Sequence, residues 1–210
     1  MICGEPLPSE LFLMDAPTVA RALLGQLLVR ETAGGRTSGV IVETEAYAGK
    51  GDAACHSSGM ETPRPGHRTE TMFRAGGRAY VYLIYGIHHC FNVVTGPEGV
   101  AEAVLIRALS PLEGMELMRA RRGVEDERAL CSGPGKLCQA LAIDRADDGA
   151  DLSRGSLRLA RGERVSDDAV EATPRINVAY AGAAALLPYR FVVRDSPSLS
   201  TRRYLSTARA

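Results

Sequence analysis

Hydrophobic and polar positions divide the chain into strand-like and helix-like runs. Residues 1–14 read as an extended lead-in. Asp15 followed by Ala16-Pro17-Thr18 predicts a helix start, because proline is tolerated in the first turn. Val19, Leu23 and Leu24 give that helix an apolar stripe, and Gly25 suits its stop. Leu27-Leu28-Val29 and Ser38–Tyr47 read as two strands joined through Gly34-Gly35, a hairpin signal. On a strand alternate side chains share a face, so Glu45 and Tyr47 project together while Thr44 and Ala46 project the other way.

The middle of the chain is less regular. Ala48 to about Arg74 shows no period and is rich in Gly, Pro and Arg. A loop this long is uncommon in a compact domain unless it is functional or disordered, and this one follows Glu45 directly, so it reads as a wall or lid of a site. Ala79–Tyr85 and His89–Thr95 predict a second hairpin with Gly86 at its tip, and Ala101–Leu109 predicts an apolar strand interrupted by Arg107. Ser110-Pro111-Leu112-Glu113 has the Ser-x-x-Glu form of a capping box with proline at the first helical position, predicting a helix to Arg122 that ends at Gly123. Residues 123–130 read as a loop, and Cys131–Lys136 opens a further helix carrying Leu137 and Leu141. Short strands are predicted at Ser156–Ala160, Arg175–Ala179 and Tyr189–Arg194, with irregular chain over 181–187 and after Ser196. No internal repeat, heptad or linker divides the chain. The pattern predicts one domain over residues 1–210, with a core of about 11–198 and an irregular tail at 199–210. Its expected class is α+β (mixed α/β): a curved, mainly antiparallel sheet with helices around it and a protruding hairpin.

Composition narrows the class. With 45% hydrophobic and 24% charged residues, the 210-residue chain is ordinary for a globular protein. No apolar run approaches the roughly 20 residues that span a bilayer, and no signal-peptide pattern opens the sequence, so an intracellular protein is expected. Five scattered cysteines without a C-x-x-C pair argue against a disulfide framework and a structural zinc site. The 25 basic and 25 acidic residues cancel, which counts mildly against a nucleic-acid partner. The charge is polarised, however: Arg64, Arg68, Arg74 and Arg78 lie in a segment whose single acid is Glu70, and acids gather at Asp144–Asp151. A basic face therefore stays open.

Several residues carry candidate chemistry. Glu45 beside Tyr47 can activate a water next to a flat, stacked substrate, or can be an ordinary strand-end carboxylate. His56, near the start of the long loop, is either a surface residue or part of that site. Tyr80, Tyr82 and Tyr85 fit core packing, but a tyrosine at a hairpin tip also suits a wedge or a stacking platform for a base. Arg107 on an apolar strand wants a carboxylate or phosphate partner. Lys136 and the amides of the Cys131–Lys136 turn make either a phosphate seat or a tight turn into a core helix. Lys50 and Lys136 are the two lysines in the sequence, so Schiff-base chemistry has few candidates. There is no His-Glu-x-x-His, Gly-x-Ser-x-Gly or Gly-x-Gly-x-x-Gly motif.

Together these blocks resemble a known family. Val42-Glu-Thr-Glu-Ala-Tyr47, His56, Tyr80-Val-Tyr-Leu-Ile-Tyr-Gly86 with Asn92, Leu105-Ile-Arg-Ala-Leu109, Pro111-Leu-Glu-Gly114 and Leu130–Ile143 are similar to the alkyladenine (3-methyladenine) DNA glycosylases from about Leu11 to Ser198. Arg68–Phe73 is closer to bacterial members. The resemblance implies a bacterial, nucleoid-associated cytoplasmic monomer. Its partner would be double-stranded DNA containing damaged purines, with no membrane, metal, cofactor or nucleotide. It implies a monofunctional glycosylase that flips an alkylated purine and cuts its N-glycosidic bond, without a lyase step. Glu45 would be the general base, and Arg107 would help hold the attacking water with the backbone carbonyl of Ile176. Tyr47, His56, Tyr82, Asn92 and Ile176 would line the base pocket, and Asn92 would crowd the exocyclic amino group of normal guanine. Tyr85 and Ile87 would intercalate, and Arg64 and Lys136 would lie at the DNA backbone. Two positions depart from the pattern: Met60-Glu61 stands where many relatives are basic, and Asn177 where relatives often have Gly. A catalytically silent DNA-binding module and a free-nucleoside hydrolase are the alternatives. The first predicts loss of Glu45 or the wedge; the second has no use for Tyr85.

Overall fold

Strand β2, Gly35–Tyr47, is the axis of a mainly antiparallel eight-stranded sheet. A computed structural model describes residues 4–205 of the chain. Around β2 stand β1 (Leu27–Thr32), β3 (Ala79–Ile84), β4 (His88–Thr95), β5 (Glu102–Glu113), β6 (Leu157–Ala160), β7 (Val170–Thr173) and β8 (Arg190–Val193). The order is β3-β4-β5-β2-β1-β6, with β8 pairing both β2 and β7. The start of β2 pairs with β1, while Glu43, Thr44 and Glu45 pair with β8. Along β5 the register steps past Val42 on one strand and past Arg107 on the other. Such bulges re-aim side chains next to working sites.

One face of the sheet packs on helices α1 (Ala16–Ala22), α2 (Met115–Arg122) and α4 (Pro134–Leu141), with the one-turn α3 (Glu127–Leu130) beside them. Val19, Leu23, Leu28, Phe91, Ile106, Leu137 and Leu141 are fully buried in that core, each stabilising by about 1.5–3 kcal/mol. α1 begins as expected: Asp15 accepts from the Thr18 backbone N–H at 2.9 Å, and Pro17 sits in its first turn. Thr44 donates to the Ala20 carbonyl and Ala46 joins this core, which leaves Glu43, Glu45 and Tyr47 on the opposite face. A second apolar cluster, including Cys55, Met72, Phe73, Tyr80 and Ala103, packs the 48–74 loop onto that face. The loop is a wall rather than loose chain, turned by 3-10 segments at Gly49–Gly51 and Glu70–Phe73.

Two expected elements are corrected. Ser110–Glu113 does not cap a helix: it continues β5, pairing with Ser38, Gly39 and Val40, and Glu113 accepts from the Ser38 hydroxyl at 2.8 Å. Pro111 is tolerated there because the register shifts beside it. α2 starts only after Gly114, whose φ of 72° is left-handed and whose added Cβ would lie 2.1 Å from the Arg36 carbonyl. Arg175–Ala179 is likewise not a strand. β7 lies upstream, Pro174 follows its last residue, and Asn177 turns to φ 60°. The lead-in holds a 3-10 helix at Ser9–Leu13, residues 123–130 hold α3, and Ala179–Leu186 is 3-10 turns kinked at Gly182. Among the described residues no helix is long and apolar enough to cross a membrane.

Candidate active site

Register builds the site. Tyr80 on β3 stands opposite Asn92 on β4, Asn92 opposite Leu105 on β5, Leu105 opposite Glu45 on β2, and Glu45 opposite Arg190 on β8. Cross-strand neighbours share a face, so this row brings residues from five strands to one side of the sheet. The neighbouring row adds Tyr82 opposite Cys90. Above them lies a cavity of about 310 Å³, walled by Tyr47, His56, Tyr80, Tyr82, Asn92 and Arg107, and reaching the hairpin at Tyr85 and α4 at Pro134.

Glu45 is 0% exposed and fully partnered. Its Oε1 accepts from the Ile176 backbone N–H at 2.6 Å; its Oε2 accepts from the Tyr47 hydroxyl at 2.8 Å and from Arg107 Nη1 at 3.2 Å. The carboxylate lies just behind the cavity, because Tyr47, Arg107 and Ile176 form the wall in front of it. Ile176 thus meets Glu45 through its backbone N–H. Burial and the adjacent Glu45 charge push the Tyr47 hydroxyl well above its ordinary value, so it donates throughout the neutral range.

A second carboxylate, not singled out in the sequence, stands behind the first. Glu43 Oε1 accepts from Arg107 Nε at 3.0 Å, Arg190 Nε at 2.8 Å and the Ser200 hydroxyl at 2.7 Å, and Oε2 accepts from the Ser200 backbone N–H at 2.7 Å. Burial pushes its carboxyl upward, but the guanidiniums of Arg107 and Arg190 outweigh it and hold the group below the usual range. Burial disfavours the Arg107 charge, yet Glu45 and Glu43 raise its affinity for the proton further. Two buried acids therefore face two buried bases, the balance that buried charges require. The available signals were the two-residue spacing of Glu43 from Glu45 and an arginine opening the apolar run Arg190–Val193.

Arg175 is the other unforeseen anchor. It is 2% exposed and grips Asp52 with both terminal nitrogens, one of them at 2.8 Å, and also donates to the carbonyls of Ala46 and Ala184. Its guanidinium lies 4.9 Å from the Tyr47 ring centroid. Burial raises the Asp52 carboxyl, but the Arg175 hydrogen bonds win and lower it.

The remaining expected residues fall around this centre. His56 is partly buried, hydrogen-bonded through Nδ1 to the Tyr80 hydroxyl at 2.9 Å and edge-on to Tyr82 at 4.7 Å. Burial, with help from the Arg68 charge, pulls its ring down to about 4, so it is neutral at pH 7. Burial raises the Tyr80 and Tyr82 hydroxyls. Asn92 Nδ2 donates to the Tyr80 carbonyl at 3.0 Å. Tyr85 and Ile87, 80% and 72% exposed, cap the hairpin. Tyr85 and Gly86 have φ of 54° and 73°, both left-handed, and the Ile87 N–H closes the turn on the Ile84 carbonyl at 3.2 Å within the three-residue loop between Ile84 and His88. Arg64 is exposed on the loop, and Lys136 is exposed with Nζ 3.3 Å from the Ser132 hydroxyl. Glu61 is paired with Lys50, so the acidic departure in that loop carries its own countercharge. Asn177 adopts the left-handed backbone that its type tolerates.

Known proteins are similar to this chain over most of its length. The sequence model of a family described as "Methylpurine-DNA glycosylase (MPG)" matches residues 10–197. A protein of Myxococcus xanthus is 48% identical over 194 residues, covering 92% of this chain and 93% of its own. One of Methanocella arvoryzae is 47% identical over 200 residues, covering 93% and 96%. One of Carboxydothermus hydrogenoformans is 45% identical over 197 residues, covering 93% and 99%. Each carries the name "Putative 3-methyladenine DNA glycosylase".

Proposed function

The chain belongs to the methylpurine-DNA glycosylase family, and we propose that it turns alkylated purines of the 3-methyladenine kind out of duplex DNA and hydrolyses their N-glycosidic bond. It acts as a monomeric DNA repair enzyme, one glycosylase unit along the chain. The observation that carries this reading is the pairing of a fully buried Glu45 with Arg107 at the back of a tyrosine-lined cavity, below an exposed tyrosine on a hairpin.

Glu45 is the general base. A water seated at Oε2, where the Tyr47 hydroxyl yields its place, gives its proton to the carboxylate as its oxygen bonds to C1′. The C1′–N bond breaks and its electron pair leaves with the purine. The products are the free base and an abasic sugar. Arg107 and the Ile176 N–H hold the carboxylate in line, so that the reacting atoms start oriented. Tyr47, His56 and Tyr82 line the flipped base, and Asn92 restricts the room beside it. An alkylated purine is electron-poor, often cationic, and tyrosine faces favour it over a neutral base. A neutral His56 adds no like charge against such a ring. The cationic base is also a good leaving group, so one base and one water suffice.

Extrusion from the stack costs a few kcal/mol, least for damaged pairs, and aromatic stacking returns about 1–3 kcal/mol per base. Tyr85 fills the vacated stack, with Ile87 beside it, and Arg64 and Lys136 meet the phosphates. Chain cleavage is not part of the reaction: Lys50 is paired with Glu61, and neither lysine is among the cavity-lining residues. The test is base release from duplexes carrying a panel of lesions. Wild-type protein releases alkylated purines, whereas Glu45→Gln binds the damaged duplex and releases none. Release by that variant would overturn the mechanism.

A further inference from the structure

Arg107 is fastened at three corners. Nε reaches Glu43, Nη1 reaches Glu45, and Nη2 reaches the Ser200 hydroxyl at 3.2 Å. A guanidinium is a rigid planar fork, so two fixed corners set the direction of the third. Ser200 supplies one of these corners and secures the other. Its hydroxyl donates to Glu43 while accepting from Arg107, and its backbone N–H takes the second Glu43 oxygen.

The segment bearing Ser200 is held as a strap. Leu199 is buried against Val42, Ala108 and Val192. Arg190, 0% exposed, donates to the Thr201 carbonyl at 2.6 Å and the Arg203 carbonyl at 3.0 Å while its Nε holds Glu43. Residues 199–205 form no helix or strand, as the sequence predicts, yet they are tied to the centre of the sheet. They lie past residue 197, where the family match ends.

We infer that the strap Leu199–Arg203 belongs to the working site: Ser200, with Glu43 and Arg190 behind it, is a positioning residue that aims Arg107 at Glu45. Without the hydroxyl, Arg107 loses a corner and Glu43 loses a donor, so Nε on Glu43 is left as the one anchor that sets the direction of Nη1 toward Glu45. The inference rests on the reading of Glu45 as the general base.

The test uses the full chain and duplex DNA methylated with dimethyl sulfate. Single-turnover base release by Ser200→Ala is expected to fall about tenfold, because small misplacements of a reacting constellation are costly. Its Kd for the methylated duplex should stay within about twofold, the split that marks a loss confined to the transition state. Ser200→Thr, which keeps the hydroxyl, restores the rate. In an Arg107→Ala background the Ser200→Ala change has no further effect, since the two act as one unit. A folded Ser200→Ala protein with an unchanged rate, or a loss that Ser200→Thr does not restore, sinks this inference and leaves the glycosylase reading intact. A wild-type protein that releases no base sinks both.

Discussion

The backbone N–H of Ile176 donates to Glu45 at 2.6 Å, joining two residues 131 apart in sequence. That donor is aimed by its neighbour. Arg175 grips Asp52, Ala46 and Ala184, so the 175–177 segment is clamped beside β2 from three directions. Asn177 then turns left-handed at φ 60°, which lets the chain leave the site immediately after making the contact. The placement of one carboxylate thus depends on an ion pair that does not touch it.

Asp52→Ala is expected to be strongly destabilising, because it leaves the Arg175 charge buried without its partner. Breaking such a pair costs about 3–5 kcal/mol. Urea unfolding of the two proteins reads this directly. A loss under about 1 kcal/mol would mean that the Ala46 and Ala184 carbonyls suffice for Arg175. At temperatures where the variant is still folded, base release should also be slower, because the Ile176 N–H is no longer fixed.

The hairpin tip separates backbone strain from function. Tyr85 sits at φ 54°, a conformation that costs a side-chain-bearing residue roughly 1–2 kcal/mol relative to glycine. Tyr85→Gly should therefore be at least as stable as wild type in thermal unfolding while losing the ring. Release from damaged duplex should drop, and release from the same lesion in single-stranded DNA should change little. Equal losses on both substrates would remove the wedge role.

Much of this site was legible in the sequence, and what was not legible has a common cause. Period-2 spacing put Glu45 and Tyr47 on one face, and their hydrogen bond at 2.8 Å realises it. Arg107 on an apolar strand wanted a carboxylate or a phosphate, and it has two carboxylates. Local pattern failed wherever tertiary pairing outbid it. Ser110–Glu113 has every feature of a helix cap, yet β5 finds ladder partners on β2 as far as Ser38. Arg175–Ala179 alternates like a strand, but Arg175 and Ile176 are spent on Asp52 and Glu45 instead of a neighbour's ladder. Ser200 had no local signal, and the two-residue spacing of Glu43 from Glu45 shows a shared face but not a partner, since both roles exist only once a tail and a central strand meet.

Tyr47 has two functions that one substitution can part. Its ring walls the cavity, and its hydroxyl occupies Glu45 Oε2. Tyr47→Phe keeps the ring and leaves that oxygen to water, so base release should stay within about threefold of wild type. Tyr47→Ala removes the stacking surface as well and should cost about 1–3 kcal/mol of binding to the extruded base. The two variants compared in single-turnover assays decide the matter. A Phe variant as impaired as the Ala variant would make the hydroxyl, not the ring, the working part.

Stability should fall with acid in a way traceable to His56. Its ring titrates near 4 in the folded protein against 6.5 when unperturbed, because burial and the Arg68 charge oppose protonation. Between those values the unfolded chain binds a proton that the native one refuses. Stability must then decrease as pH is lowered through the window, and this contribution levels off below about 4. The full slope is about 1.4 kcal/mol per pH unit. From pH 6.5 to 5 the wild-type protein should lose about 1–2 kcal/mol more than His56→Gln, which cannot titrate. Urea unfolding of both proteins at the two pH values measures the difference. Parallel losses would mean that His56 is solvated, and the cavity would then lack the dry histidine wall that keeps a cationic base from meeting a like charge.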